Sequence, residues 1–266
     1  MGKTKYSVIG VMSGTSLDGL DIAYCIFEKK DEKWDFKIKY AETAEYPEYW
    51  INKLKSAPRL SGYELSLLNN EYGYYIGEQV RDFILKNKVE VDFISSHGHT
   101  VFHQPQKRMT LQIGSGACIS AVTGLDVIND FRIMDVASGG QGAPLVPIGD
   151  KLLFSSYNYC INLGGIANIS FDINDKRIAF DICPVNMAIN FFADKIGLKY
   201  DKDGKSASEG KINFELLDNL NSIDYYHQSY PKSLGKEFFE SKFLPVVQKY
   251  NIDIKDILRT ITEHIA

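Results

Sequence analysis

Cysteine is scarce and unpaired in this chain. Cys25, Cys118, Cys160 and Cys183 are the only four in 266 residues, and no two sit at the spacing of a zinc knuckle or a disulfide framework. A reducing, cytoplasmic setting is therefore expected. Basic excess is lacking too: 30 Lys and Arg against 34 Asp and Glu leave a formal charge of −4, which gives no electrostatic footprint for nucleic acid. Long apolar runs are missing, so no membrane partner is expected. Residues Met1 to Tyr6 have neither the apolar stretch nor the cleavage site of a signal peptide, and Tyr6 breaks the myristoylation pattern. A Walker loop is absent, because Gly204-Lys205-Ser206 is preceded by Lys199 where the leading glycine belongs. The same stretch fails as a calcium loop, with Lys199 at the first ligand position and Gly210 at the twelfth.

What is present is the composition of an ordinary globular protein, 44% hydrophobic and 24% charged, with core enough for one or two domains. Its most telling segment is Gly10-Val11-Met12-Ser13-Gly14-Thr15-Ser16-Leu17-Asp18-Gly19, which breaks out of an apolar run from Tyr6 to Val11 and leads back into another. A strand, glycine turn, strand unit can bring main-chain amides and hydroxyls onto one phosphate. Asp18 cannot favour phosphate directly, so it acts either through a divalent metal or on a sugar hydroxyl. A second such unit, Asn162-Leu163-Gly164-Gly165-Ile166-Ala167-Asn168, lies between the runs 157–161 and 169–173. Two similar half-sites gripping one nucleotide from both sides are expected.

The periodicity predicts strands over 21–27, 36–44, 91–95, 110–113, 125–128, 157–161, 169–173 and 178–181, and a helix over 61–88. That helix opens with a Ser61/Glu64 capping box and carries an apolar stripe of Leu65, Leu68, Tyr72, Tyr75, Ile76, Val80, Phe83 and Ile84. The remainder after 181 is expected to be mostly helical. Strands alternating with helices imply an α/β protein with mixed sheets, divided near Asp130 into a first domain over 1–130 and a second over 131–266.

Asp181 is expected at a strand end, where a partly desolvated carboxylate serves as a general base or caps the following helix. Asn186 reads as a cap or a ligand contact. Arg132, between Asp130 and Asp135, either pairs internally or grips a carboxylate or phosphate oxygen. His97 and His99 would share a strand face near His103, but no Cys or acid cluster accompanies them, so hydrogen bonding to a polyol is favoured over metal. Cys183 is read as a buried thiol.

Taken in order, the segments 10–21, 96–105, 130–147, 162–168, 181–186 and 231–238 resemble the anhydro-N-acetylmuramic acid kinase family, most specifically through Gly10 to Gly19 and Gly139-Gly140-Gln141-Gly142-Ala143-Pro144-Leu145-Val146-Pro147. The resemblance implies a two-lobed actin-like fold of the sugar kinase, Hsp70 and actin type around a nucleotide cleft. It also implies a role in peptidoglycan recycling, with ATP and Mg2+ as cofactors and an amino sugar as partner, in a chain compatible with a homodimer. Asp181 would activate water to open the 1,6-anhydro ring, and the freed O6 would take the phosphoryl group. Gly14, Thr15, Ser16, Asp18, Gly19 and Asp21 would contact ATP, with Asp18 toward metal, and Gly164 and Gly165 would close on the phosphates. His97, Thr100, Asp130, Arg132 and Asn186 would line the sugar pocket.

The chain departs from the family pattern at Ile182, Cys183 and Val185, where Thr-Gly and Gly are usual, at His99 for Gln, at Ser115 for Asp, and at Gly149-Asp150 for Phe-His. Family members continue with further strands and helices after the helix at 254–266, so the fold is expected to be C-terminally incomplete. A catalytically silent sugar-binding protein and a kinase for another sugar are the competing expectations.

Overall fold

A computed structural model describes residues 3–14, 17, 19–31, 33–230 and 232–266. The chain forms two compact units, 1–146 and 147–266. The division therefore falls at Val146/Pro147, downstream of the expected boundary near Asp130. The reason is local: Arg132 donates from Nε to His97 Nε2 (3.0 Å) and from Nη1 to the Gly142 carbonyl (2.5 Å), which ties the 131–146 segment to the first unit.

In the first unit β1 (Lys5–Ser13), β2 (Gly19–Lys30) and β3 (Lys33–Glu45) form an antiparallel meander. Helices α1 (Glu48–Ser56) and α2 (Gly62–Asn87) follow, then β4 (Phe93–Gln104), β5 (Met109–Ile113), α3 (Gly116–Thr123), β6 (Val127–Asn129), α4 (Ile133–Ala137) and the start of α5 (Val146–Leu153). The strand order is β3-β2-β1-β4-β5, with β6 also paired to β4. The β1–β4 and β4–β6 pairings are parallel, giving the mixed sheet expected. Ser61 caps α2 by accepting from the Glu64 N–H while the Glu64 carboxylate accepts from the Ser61 N–H, the reciprocal box read in the sequence. Leu68, Tyr72, Ile76, Val80 and Phe83 then face the core with Ile9, Val11, Leu20 and Ile22 of the sheet, and Leu65, Tyr75 and Ile84 flank them. Gly73 and Gly77 let α3 lie against α2, since a Cβ on Gly73 would come within 2.7 Å of the Ser115 carbonyl oxygen and one on Gly77 within 2.8 Å of Val122 Cβ.

In the second unit β7 (Tyr159–Leu163), β8 (Ile166–Ile173) and β9 (Lys176–Pro184) form an antiparallel meander of order β7-β8-β9. The helices α6 (Asn186–Asp194), α7 (Lys205–Glu209), α8 (Phe214–Asn221), α9 (Lys236–Phe238), α10 (Leu244–Val247) and α11 (Ile254–Ile265) complete it. Their core gathers Phe192, Leu216, Leu220, Phe239, Phe243, Val247, Leu258 and Ile261. No described helix is long and apolar enough to cross a membrane.

Candidate active site

The histidine segment lies where β4 changes partners. Its first half pairs with β1 and β6 and its second half with β5. Between the pairs Val11↔Ser96 and Ser13↔His99, β1 has one intervening residue and β4 has two, a bulge centred on Gly98 with φ +71°. A side chain is excluded there, since a Cβ would stand 2.5 Å from the Ile113 carbonyl oxygen. The bulge breaks the alternation that would have put His97 and His99 on one face. His99 turns into the core, with its Nδ1 3.2 Å from Ser13 Oγ and its ring edge-on to Tyr72. His97 Nδ1 lies 2.8 Å from the Gly98 carbonyl and Nε2 receives Arg132, which fixes the Nδ1–H tautomer. Burial pushes both imidazoles down, His99 to about 4, so both are neutral donors or acceptors and not cations.

Arg132 makes no ion pair with Asp130 or Asp135. Asp135 is occupied by the Gly142 N–H (2.6 Å), and Asp130 stands at the tip of a left-handed turn with φ +60°. The internal-pair reading of Arg132 is thereby replaced by a guanidinium steered by His97 and Gly142. Thr100 Oγ1 accepts from Gln112 Nε2 at 3.4 Å. Asp130 borders a cavity of about 530 Å³, and partial desolvation pushes its carboxyl up.

Around the first glycine turn, Thr15, Ser16 and Asp18 lie outside the described residues. Gly19 belongs to β2, and its missing side chain makes room for β3, where Thr43 Cγ2 would be 2.5 Å from a Cβ. Asp21 faces a cavity of about 540 Å³ floored by Gly10, Ala23 and Ala41, and accepts from Thr43 Oγ1 at 2.6 Å. Among the described residues, no group of three or more His, Cys, Asp or Glu is placed to hold a metal ion.

In the second unit Gly164 and Gly165 form the turn between β7 and β8. The Gly165 carbonyl accepts from Val185 N (2.9 Å) and Met187 N (3.1 Å), and the Gly164 carbonyl from Asn186 N (3.1 Å). The turn thus satisfies amides at the start of α6 that would otherwise lack partners. A Cβ on Gly165 would meet nothing within 4 Å, which leaves that backbone open to a ligand. Asn186 is the first residue of α6, not its cap, which is Val185, and its side chain is exposed.

Asp181 does not close its strand as expected. β9 runs on to Pro184, because Ile166 still pairs with Pro184 across an irregularity near Asn168. The carboxylate lies under a segment that sequence reasoning did not connect to it: Leu234 N donates to Oδ2 (2.8 Å), Tyr225 OH to the Asp181 carbonyl (2.7 Å), and the Asp181 N–H reaches the Lys232 carbonyl (3.3 Å). Oδ1 has no hydrogen-bond partner among the described residues. Burial raises the Asp181 carboxyl and the Leu234 bond opposes the shift. Cys183 is held as a thiol, pushed up by burial to about 11, so a reactive thiolate is not formed there. The signal that could have found Leu234 is the segment Pro231-Lys232-Ser233-Leu234-Gly235-Lys236, conspicuous for its Pro and Gly.

The sequence pattern of the anhydro-N-acetylmuramic acid kinase family matches residues 6–266. The chain belongs to that family. Its members have the actin-like ATPase and sugar kinase fold, in agreement with the mixed α/β units described above. Anhydro-N-acetylmuramic acid kinase of Clostridioides difficile (strain 630) is 39% identical, the match covering 97% of this chain and 72% of that protein. The protein of the same name from Hydrogenovibrio crunogenus is 35% identical, covering 96% and 72%. That from Vibrio vulnificus (strain YJ016) is 34% identical, covering 99% and 74%. The family is one of kinases that transfer a phosphoryl group from ATP, so the two glycine turns belong to a nucleotide-using fold.

Proposed function

We propose that this chain opens 1,6-anhydro-N-acetylmuramic acid hydrolytically and phosphorylates the freed O6, a step in peptidoglycan recycling. Asp181 takes a proton from water, whose oxygen bonds to the anomeric carbon. The bond from that carbon to O6 breaks, O6 takes the γ-phosphoryl group, and ADP leaves. The observation that carries this reading is the half-buried Asp181 carboxylate, with one oxygen held by Leu234 N–H, the other without a partner among the described residues and its affinity for a proton raised, which is the condition of a general base. Arg132 is poised for an anionic oxygen of the substrate, and His97 sets its direction. Gly14, Thr15, Ser16, Gly19 and Asp21, with Gly164 and Gly165, serve the phosphates. Mg2+ in kinases is held by one or two carboxylates and the phosphates themselves, and Asp18 is the carboxylate proposed for it. ATP as the phosphoryl donor places the reaction in the cytoplasm.

The test is ATP consumption with the anhydro sugar and Mg2+, with product mass recorded. The expected product is heavier than the substrate by water plus a phosphoryl group. Asp181→Asn should lower turnover by about 10²- to 10⁴-fold with little change in ATP affinity. Full activity in that variant would remove Asp181 from the chemistry.

A further inference from the structure

The cavity bordered by Asp130 is built with more care than a surface dent. Its walls are the first half of α2, the turn from β5 into α3, and the Asn129–Asp130 loop. Asn69 fixes the turn twice, accepting from Gly114 N with its side chain (2.8 Å) and from Ser115 N with its carbonyl (3.1 Å). Gly73 allows α3 to press against α2, and Gly116 allows the turn to lie against Asn129, whose Oδ1 would be 2.6 Å from a Cβ at that position. The cavity is therefore preformed, and its volume of about 530 Å³ lies in the range of small-ligand sites.

Its lining chemistry is selective. Among the described residues Ser66, Asn69, Asn70 and Ser115 bring hydroxyls and amides to the lining, Asp130 a carboxylate, and no Lys, Arg or His contributes. Gln112 is engaged elsewhere, with Nε2 on Thr110 (2.9 Å) and Thr100 (3.4 Å) and Oε1 buried out of the cavity's reach. An anionic ligand group would find no cation here and would face Asp130. A neutral group that both donates and accepts, an amide or hydroxyl, suits the Asn70 amide and the Ser115 hydroxyl on one side and the Asp130 carboxylate on another. We propose that this cavity is an acyl-amide subsite, taking the acetamido group of the sugar and excluding its carboxylate. The proposal rests on the sugar-kinase reading above and adds to it which substituent the first unit recognises.

Isothermal titration calorimetry on the intact chain without nucleotide tests it, with three probes: 1,6-anhydro-N-acetylmuramic acid, 1,6-anhydro-N-acetylglucosamine, which lacks the lactyl carboxylate, and 1,6-anhydroglucosamine, which lacks the acetyl group as well. Loss of the acetyl group is expected to weaken binding at least tenfold. Ala117→Leu, at an exposed position of the lining, is expected to weaken both acetylated sugars at least tenfold and to erase their advantage over the amine. Asn70→Phe, also exposed, should do the same and guards against a folding defect, with circular dichroism and Tm as the control. Undiminished binding in both folded variants, or no penalty for removing the acetyl group, would overturn the subsite while leaving the kinase reading intact. If the unaltered chain binds none of the three sugars, the kinase reading fails and the subsite with it.

Discussion

The two glycine hairpins, β1–β2 and β7–β8, follow one plan: an apolar strand, a glycine-bearing turn, an antiparallel return strand, and a third strand completing a meander. Their surroundings differ. β1 is central, paired on one side with β2 and on the other with parallel β4, and Ile9 and Val11 are sealed under α2. β7 is paired only with β8 among the described residues, and Tyr159, Ile161 and Leu163 are exposed along it. Local sequence therefore makes the hairpin, whereas burial depends on what is laid against it later in the chain. In the first unit α2 and β4 do this within sixty residues of the meander. An exposed apolar edge strand is a pairing surface.

Large-to-small substitution breaks the comparison most strongly. Ile9 is 0% exposed and Ile161 60%. Ile9→Ala should cost about 3 kcal/mol, through lost transfer energy and the cavity left behind. Ile161→Ala should stay within about 0.5 kcal/mol. Urea unfolding monitored by circular dichroism measures both. Comparable losses at the two sites would mean that β7 is covered in solution.

Acid sharpens the comparison next, because each unit holds a histidine pushed by burial to about 4: His99 in the first, and His264 in the second, between Asn221 Oδ1 and Tyr226 OH. The unfolded chain takes up these protons near pH 6.5 and the folded chain only near 4. Stability is therefore intact above pH 6.5 and falls as the pH drops from there toward 4, by up to roughly 3 kcal/mol for the 5%-exposed His99. His99→Gln removes this uptake and leaves an amide that can still bond Ser13. Tm measured from pH 7 to pH 4.5 should fall less steeply in the variant, with a residual slope from His97 and His264. An unchanged slope would show that His99 does not stay neutral.

The capping box of α2, its apolar stripe and the two meanders were legible because their signals span only a few residues, within the reach of helical and strand periodicity. The bulge at Gly98 was not. Nothing local announces that β4 will trade β1 and β6 for β5 at that point, yet this separates His97 from His99. The partners of the chemical side chains were equally out of reach: Arg132 meets His97 across 35 residues and Leu234 meets Asp181 across 53. Asp181 itself stands out in the sequence because a carboxylate in an apolar strand is conspicuous by type. Its setting was missed because β9 continues past it to Pro184.

The smallest effect separates the acids of the two meanders. Asp21 is exposed on β2 and receives Thr43 Oγ1, a bond that an Asn Oδ1 keeps, so Asp21→Asn should leave Tm unchanged. Asp181 is half-buried, and burial raises its carboxyl above the ordinary aspartate value. In the pH window between the unfolded and folded values the native state holds the proton more tightly, so stability declines as pH rises through that window. Above it the ionised carboxylate is a standing cost to the fold. Asp181→Asn removes the charge and keeps an oxygen for Leu234 N–H. The variant should have the higher Tm at pH 7, and its advantage should vanish as the pH falls through the folded value and the native carboxyl becomes neutral too. A lower Tm at pH 7 would mean that the Leu234 bond to a charged oxygen outweighs the desolvation, and that the carboxylate is held for the fold.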